Sequence, residues 1–158
     1  MIKMGPENKN KENWVDMEIW KEFSLVYRIL YKDLEKFLSD YGLGVIEFRV
    51  LKALNEFETL PMVKLSEINS ITQPWITEIV DRLEKRGLVQ RIRSSEDRRI
   101  INILLNKEGK DLYCKVNGNY ENNISAFLSC LKEGRKEQFL EVLGEIRKDF
   151  DVTLKSKQ

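Results

Sequence analysis

Residues 64–93, KLSEINSITQPWITEIVDRLEKRGLVQRIR, decide the fold. A short segment with apolar residues at helical spacing ends at Asn69-Ser70, and a longer one begins after Thr72 and ends at Gly87. Thr72 is a good N-cap, and glycine suits the end of a helix. Because Asn tolerates the left-handed backbone conformation of a tight turn, this stretch predicts two helices joined by a short turn.

The second of these helices, from Gln73 to Arg86, is predicted to have one apolar and one polar face. At about 100° per residue, its apolar face consists of Ile76, Ile79, Val80 and Leu83. The opposite side carries Pro74, Glu78, Asp81 and Lys85, flanked by Trp75, Thr77 and Arg82. Pro74 suits the first turn, which leaves N–H groups unused. Such a helix can enter a DNA major groove, although many polar helix faces are only solvated surface.

A β-hairpin is predicted directly after this helix. Leu88 to Arg93 alternates like a strand, Ser94 to Arg99 is a charged turn, and Ile100 to Leu105 is a second β-rich run. Upstream, Val45 to Glu56 has the pattern of another helix, and Leu60-Pro61-Met62 after it is a break that can form a short edge strand. The element order is that of a helix-turn-helix followed by a wing.

Positive charge is concentrated in this part of the chain. The whole sequence has a net charge of +1, whereas Arg82 to Arg99 contains seven basic and three acidic residues, a local excess of +4. We expect Asp97 to orient a wing arginine, Arg99 to enter a minor groove and Arg98 to contact phosphate, because arginine suits both environments. The competing interpretation is an ordinary charged hairpin tip.

The candidate DNA-binding residues lie on the helix-turn-helix and the wing. Gln73, Trp75 and Thr77 are the candidates for base edges, since Gln pairs with adenine and Trp or Thr contacts a thymine methyl. The full candidate set is Ser66, Thr72, Gln73, Pro74, Trp75, Thr77, Arg82, Arg91, Arg93, Asp97, Arg98 and Arg99.

Amphipathic helices flank the winged domain on both sides. The first, predicted from Trp14 to Tyr41, carries Trp20, Phe23, Tyr27, Leu30, Leu34 and Phe37 on one stripe. Two more stripes follow the hairpin and are separated by Gly134. The first of them resumes in phase after the asparagine-rich stretch from Asn117 to Asn123, which predicts one continuous helix although these are poor helix residues. Such stripes must be buried, either in an intramolecular core or in a dimer, and a small central domain favours the dimer.

Several classes of function are disfavoured by composition. The 158 residues include no histidine and two cysteines, so the commonest general base and metal ligand is missing, and no ligand-spaced cluster or phosphate loop is present. We therefore expect no enzymatic activity, no metal and no cofactor. Neither a transmembrane segment nor a signal-peptide core is expected, which predicts a cytoplasmic protein without membrane contact.

A family resemblance becomes specific when the motifs are combined. LSEI at 65–68, VDRLEKRGLV at 80–89, DRR at 97–99 and KEGK at 107–110 resemble the MarR (multiple antibiotic resistance regulator) family. The resemblance implies a homodimer that binds a pseudo-palindromic double-stranded DNA operator, usually as a repressor, and that small aromatic anions release. An effector pocket is then expected where the first helix meets the winged domain, with Tyr27, Arg28 and Tyr31 as candidates.

By this resemblance, the Gln73–Arg86 helix is the recognition helix, the one that enters the DNA major groove. This chain departs from the family pattern at two of its positions. Glu78 stands where a basic or neutral residue is usual, and Trp75 is larger than the usual residue at its position. A carboxylate facing DNA lowers affinity unless it accepts a hydrogen bond from a cytosine amine or pairs with an arginine. These departures put the operator sequence in doubt, and they leave DNA binding itself untouched.

The predicted fold is mainly α with a small β-hairpin wing. We divide it into a disordered tail (1–13), a dimerisation helix (14–44), a winged helix-turn-helix domain (45–105) and dimerisation helices (106–158). The predicted function is sequence-specific regulation of transcription. The alternative is a winged helix that serves as an architectural or protein-interaction module with little DNA specificity.

Overall fold

The computed structural model describes residues 6–94, 97 and 99–155. Six α-helices, three strands and a short 3-10 helix at Leu128–Cys130 make up this part of the chain. The helices are α1 (Pro6–Ser39), α2 (Val45–Phe57), α3 (Met62–Asn69), α4 (Gln73–Lys85), α5 (Lys107–Phe127) and α6 (Arg135–Lys155). The strands are β1 (Thr59–Pro61), β2 (Val89–Arg93) and β3 (Ile101–Leu105). The predicted fold class, mainly α with a small winged sheet, is confirmed.

The three strands form one antiparallel sheet in the order β1-β3-β2. Arg91 on β2 and Leu60 on β1 are both paired with Ile103 on the central strand. The predicted hairpin and the predicted edge strand are both confirmed. Pro61 ends β1 on the sheet edge, where a residue without an N–H group leaves no ladder hydrogen bond unmade.

The core of the winged region lies between α2, α3, α4 and the sheet. Its fully buried side chains include Val50, Leu51, Leu54, Leu65, Ile76, Ile79, Val80, Leu83 and Ile103. The apolar face predicted for α4 is therefore the face that packs inward. Burial of this face leaves the opposite, polar side of α4 at the protein surface.

Three helix ends share one hydrogen-bond pattern. After α1, α3 and α4, a residue with positive φ is followed by an N–H that donates five residues back, as in Leu88 N to Leu83 O at 3.0 Å. Gly42 (φ 65°) and Gly87 (φ 70°) adopt the left-handed conformation, as glycine readily does. At the end of α3 it is Ser70 (φ 54°), and not Asn69, that does so. Asn69 is instead buried, and its Nδ2 donates to Leu65 O at 2.8 Å.

The first helix is longer at its N-terminus than the sequence predicted. It begins at Pro6 and ends at Ser39, whereas the prediction placed residues 1–13 in a disordered tail and the helix from 14 to 41. Proline is well suited to the first helical position, and the glutamates and lysines that follow it are good helix formers. Residues 1–5 of the predicted tail lie outside the described residues.

The chain forms two compact units that divide between Tyr113 and Cys114. The first unit therefore contains the start of α5 together with the winged region. Two contacts explain this: the Tyr113 ring lies 6.0 Å from that of Phe48, and Gly109 abuts the backbone of Leu88. In the described part of the chain, no helix is long and apolar enough to cross a membrane.

The second unit contains the rest of α5, the 3-10 helix and α6. The asparagine-rich stretch from Asn117 to Asn123 does not interrupt α5, as predicted from the apolar stripe that continues in phase. Gly134, with φ 79°, then stands just before α6 begins at Arg135. Large apolar side chains of α6 remain exposed in the single chain, notably Phe139, Leu140, Val142 and Ile146.

Candidate nucleic-acid interface

The N-terminal half of α4 presents a continuous exposed surface. Gln73, Pro74, Trp75, Thr77 and Glu78 are all exposed, while Ile76 between them is fully buried. The tight α3–α4 turn fixes the start of this helix, and its apolar face anchors it to the core. This arrangement matches the geometry in which the start of a recognition helix meets base edges.

Ser66 does not belong to that surface, contrary to the sequence prediction. It lies on α3, is buried, and its hydroxyl donates to Val63 O at 2.7 Å. The same hydroxyl accepts a hydrogen bond from Nε2 of Gln73. Ser66 therefore holds a side chain of the recognition helix in position and is not itself presented to a ligand. The error arose because the helical pattern alone does not show which polar residues face a neighbouring helix.

One further side chain of α4 is also engaged locally. The Thr77 hydroxyl donates to Gln73 O at 2.8 Å, which leaves its methyl group and oxygen lone pairs for other partners. Thr72 is the N-cap residue, as predicted, although its side chain makes no capping hydrogen bond. Thr72 is exposed beside Gln73, so both remain at the surface of the turn.

Arg91 joins the wing to the recognition helix. Its guanidinium donates to Asp81 Oδ1 at 2.6 Å and to Glu84 Oε2, and its backbone N–H donates to Glu84 Oε1 at 3.3 Å. Two carboxylates thus neutralise a side chain that is only 24% exposed. Arg91 was predicted to contact DNA, but its charge and its donors are used inside the protein. Its physical role is to fix β2 against α4.

A second ion-pair network centres on Glu47, which the sequence reasoning missed. Its Oε1 accepts from Arg82 Nε at 3.1 Å, and its Oε2 accepts from Gly44 N at 3.0 Å and from Arg86 Nη1 at 3.4 Å. The Glu47 side chain is only 10% exposed. The signal that could have found it is the spacing from Gly44 to Glu47, the N-cap to N3 distance of a capping box.

The wing tip is organised by Asp97. Its Oδ1 accepts the backbone N–H of Arg99 at 2.9 Å, and Ser94 N donates across the turn to Ile100 O at 3.0 Å. Asp97 was expected to orient a wing arginine, and its carboxylate holds the backbone N–H of Arg99. Arg99 itself is exposed. Arg98, the predicted phosphate contact, lies outside the described residues.

The positive charge available to a polyanion is smaller than the sequence suggested. Of the basic residues between 82 and 99, Arg82, Arg86 and Arg91 are paired with carboxylates. Lys85, Arg93 and Arg99 are exposed and make no ion pair within the residues that the structure describes. Arg82 retains exposed donors, since its side chain is 52% exposed.

A cavity of about 240 Å³ opens beside the recognition helix. Its lining comprises Tyr31, Gly44, Val45, Ile46, Glu47, Trp75, Ile79 and Arg82. Of the three predicted effector residues, Tyr31 lines it, whereas Tyr27 and Arg28 do not; the Tyr27 ring lies 5.9 Å from that of Tyr31. The cation at this cavity is therefore Arg82, which comes from the recognition helix and not from α1.

The α3–α4 pair followed by the β2–β3 hairpin defines the chain as a winged helix-turn-helix protein. The sequence profile of the MarR family matches residues 46–101, which covers the helix-turn-helix and most of the wing. The regulator FarR of Neisseria gonorrhoeae is 33% identical over 108 residues, covering 67% of this chain and 73% of FarR. The chain belongs to the MarR family of winged helix-turn-helix transcriptional regulators.

Solved structures show the same fold over most of the chain. The transcriptional regulator BldR from Sulfolobus solfataricus has a TM-score of 0.74 and 30% identity, over 92% of this chain and 99% of BldR. A cysteine-to-serine variant of Escherichia coli MarR, solved in complex with operator DNA, has a TM-score of 0.74 at 18% identity, over 82% of this chain and 93% of that one.

Proposed function

We propose that this protein is a sequence-specific, double-stranded DNA-binding regulator that acts as a homodimer. The observation that carries the proposal is the exposed N-terminal half of α4, held by a tight turn and followed by a wing with exposed arginines. The fold shared with a MarR variant solved on operator DNA supports the same assignment of the recognition helix. In this proposal α4 enters the major groove, and Arg93 and Arg99 face the DNA backbone or the minor groove.

The homodimer is supported by apolar surface that a single chain leaves uncovered. On α1, Trp14, Trp20, Phe23, Val26 and Tyr27 are between 43% and 64% exposed. On α6, Phe139, Val142 and Ile146 recur at helical spacing and are between 47% and 50% exposed, and Leu140 is 71% exposed. Contiguous apolar faces of this kind mark interfaces, and a second copy of the chain is the partner that the family implies.

Two-fold symmetry then sets the form of the operator. Each protomer presents one α4 helix, so the site is pseudo-palindromic, with half-sites about 10 base pairs apart or a multiple of that. We propose that the protein is a repressor, as one relative is named: YetL of Bacillus subtilis, 28% identical over 121 residues. Since the target is chromosomal DNA, we place the protein in the cytoplasm.

We further propose that a small aromatic anion releases the DNA by binding the cavity. Tyr31 and Trp75 are the aromatic residues of its lining, and Arg82 has donors beyond its bond to Glu47. The carboxylate of Glu47 repels an anion, but the two guanidiniums of Arg82 and Arg86 that pair with it leave a net charge of +1 for the three side chains. Because Trp75 and Arg82 lie on α4, a ligand that contacts them changes the environment of the recognition helix directly.

Trp75 fluorescence tests the effector proposal. In a Trp14→Phe/Trp20→Phe protein, Trp75 is the remaining tryptophan. Titration with benzoate and salicylate should then change its emission saturably, and Arg82→Gln should abolish that response while benzamide, the neutral analogue, gives none. Emission that is unchanged by the anions, or that responds equally to benzamide, would contradict the proposal that the cavity binds an aromatic anion.

Selection from a random duplex library tests the DNA-binding proposal. A specific regulator should enrich one pseudo-palindromic sequence over successive rounds. An architectural or protein-interaction module, the alternative function, should enrich none. The same selection without added protein provides the background.

A further inference from the structure

Glu78 is an exposed carboxylate on the polar face of α4. On a helical wheel it lies beside Pro74, near the centre of the face opposite the buried Ile76 and Leu83. Within the residues that the structure describes, it makes no ion pair and no side-chain hydrogen bond. A carboxylate is therefore left free on the surface that the proposed function turns toward DNA.

The other carboxylates of this region are neutralised by arginine. Asp81 and Glu84 both bind Arg91, and Glu47 binds Arg82. Arg82 follows Glu78 by four residues, the spacing at which a helix normally supports an ion pair. Its Nε instead donates to Glu47 on α2. The network around the recognition helix thus leaves Glu78 without its natural helical partner.

An unpaired carboxylate in a major groove is repelled by phosphates and by most base edges. Guanine and thymine present acceptor oxygens there, and guanine also presents N7. Adenine offers an N6 amine, but its N7 acceptor lies beside that amine and repels the second carboxylate oxygen. Cytosine presents an N4 amine donor without an adjacent ring acceptor, and it is the base from which Glu and Asp accept.

We propose that Glu78 selects a cytosine in each half-site of the operator and weakens binding to duplexes that lack it. The inference rests on the proposed function, because it requires α4 in the major groove. The contact with cytosine is made by a carboxylate that is unpaired in this fold. Its negative charge discriminates against duplexes that lack the cytosine.

The test compares sequences selected by three proteins: wild type, Glu78→Ala and Glu78→Gln. The wild-type consensus should contain one strongly preferred cytosine per half-site that becomes indifferent in Glu78→Ala. In Glu78→Gln the same column should shift toward adenine, because glutamine pairs with the N6 and N7 edge of adenine. All other columns should be unchanged. Glu56→Gln, which alters an exposed glutamate on α2, should select the wild-type consensus.

A titration on defined duplexes supplies the second readout. Replacing the selected cytosine pair should weaken wild-type binding about tenfold or more and should leave the affinity of Glu78→Ala nearly unchanged. Random duplex should bind Glu78→Gln more tightly than wild type, since one repulsive charge is gone. Coincident thermal unfolding of the variants and the wild type would exclude a folding defect.

The possible outcomes separate the two proposals. A wild-type protein that enriches no sequence would overturn the proposed function itself. A wild-type palindrome whose every column is retained in Glu78→Ala would leave the proposed function intact and overturn the role of Glu78.

Discussion

Arg82 on the recognition helix and Glu47 on α2 are joined by a hydrogen bond of 3.1 Å between Nε and Oε1. Both residues line the cavity of about 240 Å³ that also contains Trp75. A ligand in this cavity and DNA at α4 would therefore act on the same helix. If the ligand binds one arrangement of that helix more tightly than another, the two sites share a coupling free energy, and that coupling is reciprocal.

Replacing Glu47 with alanine should destabilise the fold. The change removes the partner of Arg82 and Arg86 and leaves the Gly44 N–H without its acceptor. We expect a loss of about 1–3 kcal/mol in the free energy of unfolding, measured by urea denaturation, because the arginines stay partly solvated. The control is Glu67→Ala, which breaks the exposed Lys64–Glu67 pair and should change stability by about 0.5 kcal/mol or less. Equal effects of the two substitutions would contradict a structural role for Glu47.

Arg91 and Arg99 should differ in how they affect DNA binding. Arg99→Ala removes an exposed wing cation and should reduce the slope of log K against log salt by about one for each phosphate that is no longer neutralised. Arg91→Ala should leave that slope unchanged and lower the thermal stability, because its guanidinium is bound to Asp81 and Glu84. Anisotropy titrations at several salt concentrations and thermal melts measure both quantities. A reduced salt slope for Arg91→Ala would instead indicate that Arg91 contacts a DNA phosphate.

Two glycines of α5 should respond in opposite directions to alanine. A Cβ at Gly109 would lie 2.0 Å from Leu88 O, so Gly109→Ala must push the start of α5 away from the α4–β2 corner. We expect a loss of about 1–3 kcal/mol. Among the described residues, a Cβ at Gly118 would meet no atom beyond the backbone of its own helix within 4 Å, and Gly118→Ala should stabilise the helix by about 0.5–1 kcal/mol. If Gly109→Ala were neutral in chemical denaturation, the close approach to Leu88 would be wrong.

Charges placed on the exposed apolar faces should dissociate the homodimer. Trp20→Glu on α1 and Leu140→Glu on α6 alter side chains that are 64% and 71% exposed in the single chain. Sedimentation velocity should show monomers for each and a dimer for the wild type, because a buried unpaired charge is strongly unfavourable. Phe57→Glu changes an exposed apolar residue outside these helices and should remain dimeric. A wild-type protein that sediments as a monomer would refute the homodimer.

The sequence was sufficient for the elements whose signals are local. Apolar spacing predicted the inward face of α4, Gly87 marked the end of that helix, and β-alternation located the hairpin. The stripe that resumes in phase after Asn119 also predicted a continuous α5. Each of these depends on residues within one or two turns of each other, where spacing alone determines the outcome.

Charged side chains were harder to assign, because their partners are distant in the chain. Arg82 pairs with Glu47, which lies 35 positions earlier in the chain, and Arg91 pairs with Asp81, which lies 10 positions earlier. In sequence, all of these arginines look equally available to DNA. Ser66 was misplaced for a related reason, since burial against Gln73 depends on how α3 meets α4. Which arginines remain unpaired depends on how two elements pack against each other, and the spacing of residues in the sequence does not specify that packing.

The central claim, sequence-specific DNA binding by a dimer, is tested most directly by an anisotropy titration at two salt concentrations. The purified protein is titrated against the DNA upstream of its own gene and against a scrambled duplex of the same length and composition. We predict binding to the upstream DNA that is about a thousandfold tighter than to the scramble, and weaker for both at higher salt. Equal weak binding to both duplexes, or none, would contradict the claim and would favour the architectural or protein-interaction role.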